Sequence, residues 1–198
     1  MKDIIIATKN AGKAQEFKDF FKAYDVNALS LLDLSEQLDV EETGETFKEN
    51  AALKAEQIAS HYNQVVLADD SGLIVDALDG RPGVFSARYA GESKSDQANI
   101  NKVLWELADV PREKRTARFV CVLAIAEPGK ETIFQTGYCE GEIALSEKGS
   151  HGFGYDPIFI PQGFVKSMAE LKPEEKNKMS HRSQAMKQLK SWIENEYQ

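Results

Sequence analysis

Five short segments of this chain carry residue types and spacings suited to chemistry. The first is Thr8-Lys9-Asn10-Ala11-Gly12-Lys13, set where an apolar strand gives way to a helix. Such a junction offers backbone N–H groups and the positive helix end to an anion. Thr8 and Asn10 can donate hydrogen bonds, and Lys13 can neutralise charge. It is not a Walker A loop, since Ala7 and Ala14 stand where that motif needs Gly and Ser or Thr. An Asn cap beside a solvated lysine would use the same residues. The second segment is Asp69-Asp70-Ser71-Gly72, expected at the end of a buried strand. Side chains alternate along a strand, so one of the two acids faces a given side. Buried acids are costly unless a cation, hydrogen bonds or solvent meets them. Mg2+ takes one or two carboxylates plus substrate phosphates, whereas Asp, Ser and Gly equally suit a capped turn.

The third segment is the acidic run from Glu41-Glu42-Thr43-Gly44-Glu45 into Thr46-Phe47-Lys48-Glu49-Asn50. Thr46 can cap a helix with Glu49 at the capping-box position, which leaves Glu41 and Glu42 without a local structural task. One of them could complete a Mg2+ shell with Asp70. Thr46, Asn50 and Lys54 form a polar row along that helix, which reads as its solvated face. In the fourth, Gly152-Phe153-Gly154-Tyr155-Asp156-Pro157, an aromatic between glycines can stack on a base, worth roughly 1–3 kcal/mol, or anchor its loop in the core. The fifth is Lys176-Asn177-Lys178-Met179-Ser180-His181-Arg182. With Ser180 as N-cap, His181 and Arg182 oppose the helix dipole, a cost of up to about 1 kcal/mol unless an anion or carbonyl oxygen binds there. Local conflicts of this kind tend to mark functional sites.

Interleaved helices and strands position these segments. A strand is expected over residues 4–8, followed by a helix with Phe17, Phe20, Phe21 and Tyr24 at i, i+3, i+4 and i+7. Residues 46–61 read as a second helix, and 65–68 and 73–78 as two extended pieces. Ser95-Asp96 opens a third helix with Ile100, Val103, Leu104 and Leu107 on one face. Residues 116–126 form a long strand, closed by Pro128-Gly129-Lys130 into a hairpin. Ser180 starts a last helix carrying Ala185, Leu189, Trp192 and Ile193. The expected class is mixed α/β, and composition shows no linker within residues 1–198.

Composition narrows the partners. The chain has 24 Lys and Arg against 32 Asp and Glu, a net charge of −8 and a pI near 5.0, which argues against a general nucleic-acid binder. No stretch approaches the about 20 apolar residues of a membrane span, and the apolar run at the start is too short for a secretory leader. Cys121 and Cys139 have no metal-binding spacing and read as buried reduced thiols of a cytoplasmic protein. The charge is uneven: seven acids and one lysine lie between Asp33 and Glu49, and seven bases and three acids between Lys166 and Trp192. Two solvated faces of opposite sign, or a site holding a cation with a polyanion, would give that pattern.

Together the segments closely resemble the inosine/xanthosine triphosphate pyrophosphatase family, the HAM1-like enzymes of non-canonical purine nucleotides. Ala7-Thr8-Lys9-Asn10-Ala11-Gly12-Lys13, Glu41-Glu42-Thr43-Gly44 and Ala68-Asp69-Asp70-Ser71-Gly72-Leu73 carry the match. It continues through Thr46-Phe47, Glu49-Asn50-Ala51, Pro82-Gly83-Val84-Phe85-Ser86-Ala87-Arg88-Tyr89, Gly152–Phe159 and Ser180-His181-Arg182, spanning nearly the whole chain. The resemblance implies an elongated two-lobed α/β fold on a mixed twisted sheet, an active-site cleft between lobes, and a homodimer. It implies Mg2+-dependent hydrolysis of ITP, dITP or XTP to the monophosphate and pyrophosphate.

Residue by residue, the resemblance implies that Thr8, Lys9, Asn10, Ala11, Gly12 and Lys13 hold the triphosphate. Glu41 and Asp70 bind Mg2+, Asp70 also activates water, and Ser71 contacts substrate. Phe153, Gly154, Tyr155, Asp156, Lys176, His181 and Arg182 line the base pocket. Donors there suit a 6-oxo purine and leave adenine's amino group facing a donor, a mismatch that can discriminate by roughly 10^4–10^5. The rival readings are a non-catalytic nucleotide sensor and an enzyme of pyrimidine or methylated nucleotides. The Glu41 and Asp70 acids disfavour the first, and Ser180-His181-Arg182 the second.

Overall fold

The central strands are apolar on both faces. Ile4, Ile5 and Ile6, then Val66, Leu67 and Ala68, and every residue from Phe119 to Ala126 are buried, the pattern of strands covered on two sides. A computed structural model describes residues 2–35 and 38–197; Glu36, part of the acidic run, lies outside them. In chain order the elements are β1 (Lys2–Ile6), α1 (Ala11–Lys22), β2 (Val26–Ser30), α2 (Phe47–Tyr62), β3 (Val66–Val75), α3 (Asp96–Glu106), β4 (Thr116–Ala126), β5 (Ile133–Ile143), β6 (Phe159–Pro161), α4 (Pro173–Met179) and α5 (His181–Trp192). They build a six-stranded sheet ordered β2-β1-β3-β4-β5-β6. β1 runs parallel to β2, from Lys2 opposite Val26 to Ile6 opposite Ser30, and parallel to β3 at Ile5 opposite Val66. β5 and β6 are antiparallel, with Gly141 opposite Pro161. The sheet is mixed and the class α/β, as expected.

The chain divides into two compact units, one of residues 1–70, 122–136 and 185–198, the other of 71–121 and 137–184. In the first, α1 buries Phe17 and Phe21 and α2 buries Ala51, Ala55 and Ile58. Thr46 caps α2 through the expected box: Glu49 N–H donates to Thr46 Oγ1 (3.1 Å), and Thr46 N–H to Glu49 Oε2 (3.2 Å). The second unit closes around Leu73, Val75, Ile100, Val103, Leu107, Phe119, Ile143, Ile158, Phe159 and Met168. Cys121 and Cys139 are buried, and burial pushes the Cys139 thiol up to about 11. No described helix is long and apolar enough to cross a membrane.

One expectation needs correction. The Asp69-Asp70-Ser71-Gly72 segment is not a turn between two extended pieces: β3 runs unbroken through it. Turn propensity loses because Leu67, Ala68, Leu73 and Val75 bury on either side of the acids. Ser180 starts the last helix as expected: its hydroxyl accepts the Ser183 N–H (3.2 Å) at the head of α5, and the short helix α4 ends just before it at Met179.

Arg115 ties the end of α3 to the sheet. It is 3% exposed and donates to the carbonyls of Val110 (2.9 Å), Ala144 (3.0 Å) and Leu107 (2.6 Å). Arg115→Ala strands three carbonyls and opens a void, so urea unfolding is expected to show a loss of about 3 kcal/mol.

Candidate active site

The residues singled out from sequence fall into two groups, one in each unit. In the first, the strand-to-helix junction is built as an Asn cap: Lys13 N–H donates to Asn10 Oδ1 (3.0 Å), and Asn10 N–H to Thr8 Oγ1 (3.2 Å). Thr8 is buried, while Lys9, Asn10, Ala11 and Gly12 are exposed. The amides of Ala11 and Gly12 belong to the first helical turn, where no intrahelical carbonyl is available. Lys13 turns the other way and pairs with Asp69 Oδ2 at 2.8 Å. Lys9 pairs with Asp39.

Asp69 and Asp70 are 3% and 7% exposed, so their charge has to be met from nearby side chains. Lys13 meets Asp69. Lys54, from α2, donates to the Asp69 carbonyl (2.6 Å) and to Glu42 Oε1 (2.6 Å), and stands 4.0 Å from Asp70 Oδ1. Burial works against the Lys54 charge, but the fields of Asp69, Glu42 and Asp70 together raise its pKa above the usual value. Burial also raises Asp70, to about 6. Glu42 and Asp69 add to that rise, and Lys54 and Lys13 oppose it. An acid held there is a base at neutral pH.

The polar row on α2 is therefore not a solvated face. Thr46 caps the helix, Lys54 meets the acids, and Asn50, 1% exposed, accepts the Gly44 N–H at 2.7 Å. A Cβ on Gly44 would stand 2.7 Å from Asn50 Oδ1, so only glycine lets the acidic loop approach so closely. Of the two acids that precede the cap, Glu42 pairs with Lys54, whereas Glu41 is exposed. Sequence reasoning undervalued Lys54. Its spacing of four from Asn50 and eight from the Thr46 cap was the available signal.

In the second unit, Phe153 is 39% exposed, so it is presented rather than anchored in the core. Lys176 Nζ lies 4.8 Å from its ring centroid and the Arg182 guanidinium 5.9 Å. Lys176 also pairs with the buried Asp156 carboxylate (2.5 Å), which in turn accepts the Phe153 N–H (3.1 Å). Burial raises Asp156, against the lowering fields of Lys176 and Arg182. His181 is 8% exposed and stacks on Phe119 at 4.9 Å, and Arg182 is 2% exposed. The Tyr155 hydroxyl donates to the Ser86 carbonyl (2.6 Å). Ser71, half-buried, follows Asp70 directly in β3. An exposed ring beside two cations can stack a planar heterocycle, and the cations can donate to its carbonyl oxygen.

Whether the acids suit a metal is a question of donor chemistry. Asp69, Asp70, Glu41 and Glu42 offer carboxylate oxygens only, the donors Mg2+ takes. Among the described residues no three His, Cys, Asp or Glu side chains are grouped as a ready cage. Mg2+ commonly keeps one or two carboxylates and completes its shell with water and substrate phosphate. Asp70, raised by burial and two neighbouring acids, is a carboxylate that a divalent cation would stabilise. The residues fit the ion.

A model of the Ham1 family matches residues 4–192. The dITP/XTP pyrophosphatase of Oceanobacillus iheyensis is 65% identical over 194 residues, covering 98% of each chain. That of Halalkalibacterium halodurans is 58% identical over 194 residues, covering 98% of this chain and all of the relative. The solved structure of the Staphylococcus aureus Ham1 protein superposes with a TM-score of 0.90 at 48% identity, covering 98% of this chain and all of that one.

The raised Asp70 pKa has a consequence for stability. Its protonated form is favoured in the folded chain, so that stability is complete below the unfolded value of 3.8 and is lost as pH rises through about 6. Asp70→Asn escapes the loss. In chelator, thermal unfolding is expected to show Asp70→Asn more stable than wild type by up to about 3 kcal/mol above pH 6, with the gap closing by about pH 4.

Proposed function

Because the chain belongs to the Ham1 family and is an enzyme of the nucleoside-triphosphate pyrophosphatase kind, we propose that it hydrolyses dITP, ITP and XTP with Mg2+ as cofactor. The products are the monophosphate and pyrophosphate, and the outcome is removal of non-canonical purines from the nucleotide pool. The observation that carries this reading is the cluster of Asp69 and Asp70 with Lys13 and Lys54, beside the start of α1.

In this reading Thr8, Lys9, Asn10, Ala11, Gly12 and Lys13 bind the triphosphate, and Ser71 contacts substrate. Glu41 and Asp70 would hold Mg2+, which when bound offsets repulsion between carboxylates and polyanion and polarises the phosphoryl group. Asp70 orients the attacking water and takes its proton as the water oxygen bonds to phosphorus and the bridging P–O bond breaks. Lys13 and the first-turn amides of α1 stabilise the charge that develops on the departing pyrophosphate. The Lys54 ammonium favours the ionised form of Asp70. Phe153 stacks on the base with Gly154, Tyr155 and Asp156 shaping its loop, while Lys176, His181 and Arg182 direct donors at the 6-oxo group. Adenine would bring its own donor to those groups. The reading includes a cytoplasmic homodimer without nucleic-acid or membrane partners. Light scattering of the purified chain is expected to give twice its monomer mass.

The decisive assay offers dITP, ITP, XTP, GTP, ATP and dUTP with pyrophosphate detection. Turnover is expected to favour the first three, with pyrophosphate and monophosphate in equal amounts. Release of single phosphates would indicate a phosphatase instead, and saturable binding without hydrolysis a sensor. Asp70→Asn is expected to lower kcat by about 10^2-fold or more while folding normally, the scale of a lost general base. Near-normal turnover would remove Asp70 from that role.

A further inference from the structure

The loop over residues 152–156 is fixed by groups far from it in sequence. Gly152 and Gly154 take φ of +79° and +60°, and the backbone between them presents two successive N–H groups, a geometry that favours anionic acceptors. Phe153 N–H donates to Asp156 Oδ2, within the loop. Gly154 N–H donates at 2.8 Å to Asp96 Oδ2, which is 58 positions away. A Cβ on Gly152 would fall 2.0 Å from Asp156 Oδ2, so the loop has little freedom to regroup around another acceptor.

Asp96 is the first residue of α3, and the task of capping that helix is already taken. Ser95 accepts the Ala98 N–H (3.2 Å) as N-cap. One turn on, buried Asn99 donates to the carbonyls of Ser86 (3.3 Å) and Ala87 (3.1 Å) and accepts the Ala90 N–H (2.7 Å). The Ser86 carbonyl that Asn99 holds is the one that receives the Tyr155 hydroxyl. Helix α3 therefore grips the loop at two points, directly at Gly154 through Asp96 and indirectly at Tyr155 through Asn99 and Ser86. Phe153 immediately precedes the first of these contacts, and its own N–H is held by Asp156.

We propose that Asp96 is a positioning residue for recognition of the purine base, holding Gly154 so that the Phe153 ring keeps its stacking pose beside Lys176 and Arg182. The inference rests on the base-pocket reading above and adds a residue outside the loop to it. Asp96 touches no reacting atom, so its removal weakens binding and leaves the chemical step alone.

Steady-state kinetics with dITP or XTP on Asp96→Ala and Asp96→Asn test this, alongside amide exchange of the peptide containing Gly154. Asp96→Ala is expected to raise KM about 5- to 10-fold with kcat within about twofold of wild type, the scale of one lost amide-to-carboxylate hydrogen bond. Exchange at Gly154 is expected to quicken in step. Asparagine loses the charge that favours a helix start but keeps an acceptor oxygen, so Asp96→Asn is expected to recover most of the affinity. A role confined to helix stability would instead group Asn with Ala, and overturns the assignment. Wild-type turnover with KM unchanged in Asp96→Ala also overturns the assignment alone. Absence of purine triphosphate turnover by the wild-type chain overturns the proposed function and the assignment with it.

Discussion

Two adjacent carboxylates in the middle of a buried strand must be met by positive charge, and α1 and α2 each deliver one lysine for the purpose. Lys13 reaches Asp69 from the first turn of α1, and Lys54 reaches the Asp69 carbonyl and the field of Asp70 from the second turn of α2. Much of the first unit follows from that requirement. The Asn10 cap sets where α1 begins and so where Lys13 stands, and the Thr46–Glu49 box does the same for α2 and Lys54. Asn50 draws in Gly44, and Glu42, two residues earlier, reaches the ammonium. The compensation is incomplete at Asp70, whose carboxyl stays well above its ordinary value. An arrangement that leaves an acid under-compensated sacrifices stability for a group able to accept a proton or a cation, which is the usual trade at a catalytic site.

The second unit repeats the rule with one pair. Asp156 is buried against Lys176, and the same carboxylate orders the backbone of Phe153. Here the ion pair does not create a base; it freezes a loop whose ring stays accessible. Holding an exposed aromatic rigid lowers the entropy that stacking a ligand would otherwise cost. The acidic and basic runs that make the sequence charge uneven find partners locally: Asp33 with Lys18, Asp39 with Lys9, Glu42 with Lys54, and Lys176 with Asp156. Lys18 and the Ser30 hydroxyl and amide hold Asp33 down at about 2. Part of the uneven charge is thus held in short-range pairs.

Residue types and spacing along the chain determined where the helices begin, because caps act within one turn: Asn10, Thr46, Ser95 and Ser180 all accept the N–H three residues on. They also determined the strands at 116–126 and the apolar faces of α1 and α3, since periodicity needs no distant partner. What they left open depended on partners remote in sequence. Whether Asp69-Asp70-Ser71-Gly72 turns or extends was decided by burial around it, which overrides the turn preference of its residues. Which of Glu41 and Glu42 reaches the Lys54 ammonium was decided by the path of the acidic loop that Asn50 holds, and whether Phe153 is buried or presented by the carboxylates that hold its loop. Local chemistry is short-ranged and can be read from neighbours. The choice among equally suitable acids and amides is a matter of which side chain is near enough, and only the folded chain supplies that distance.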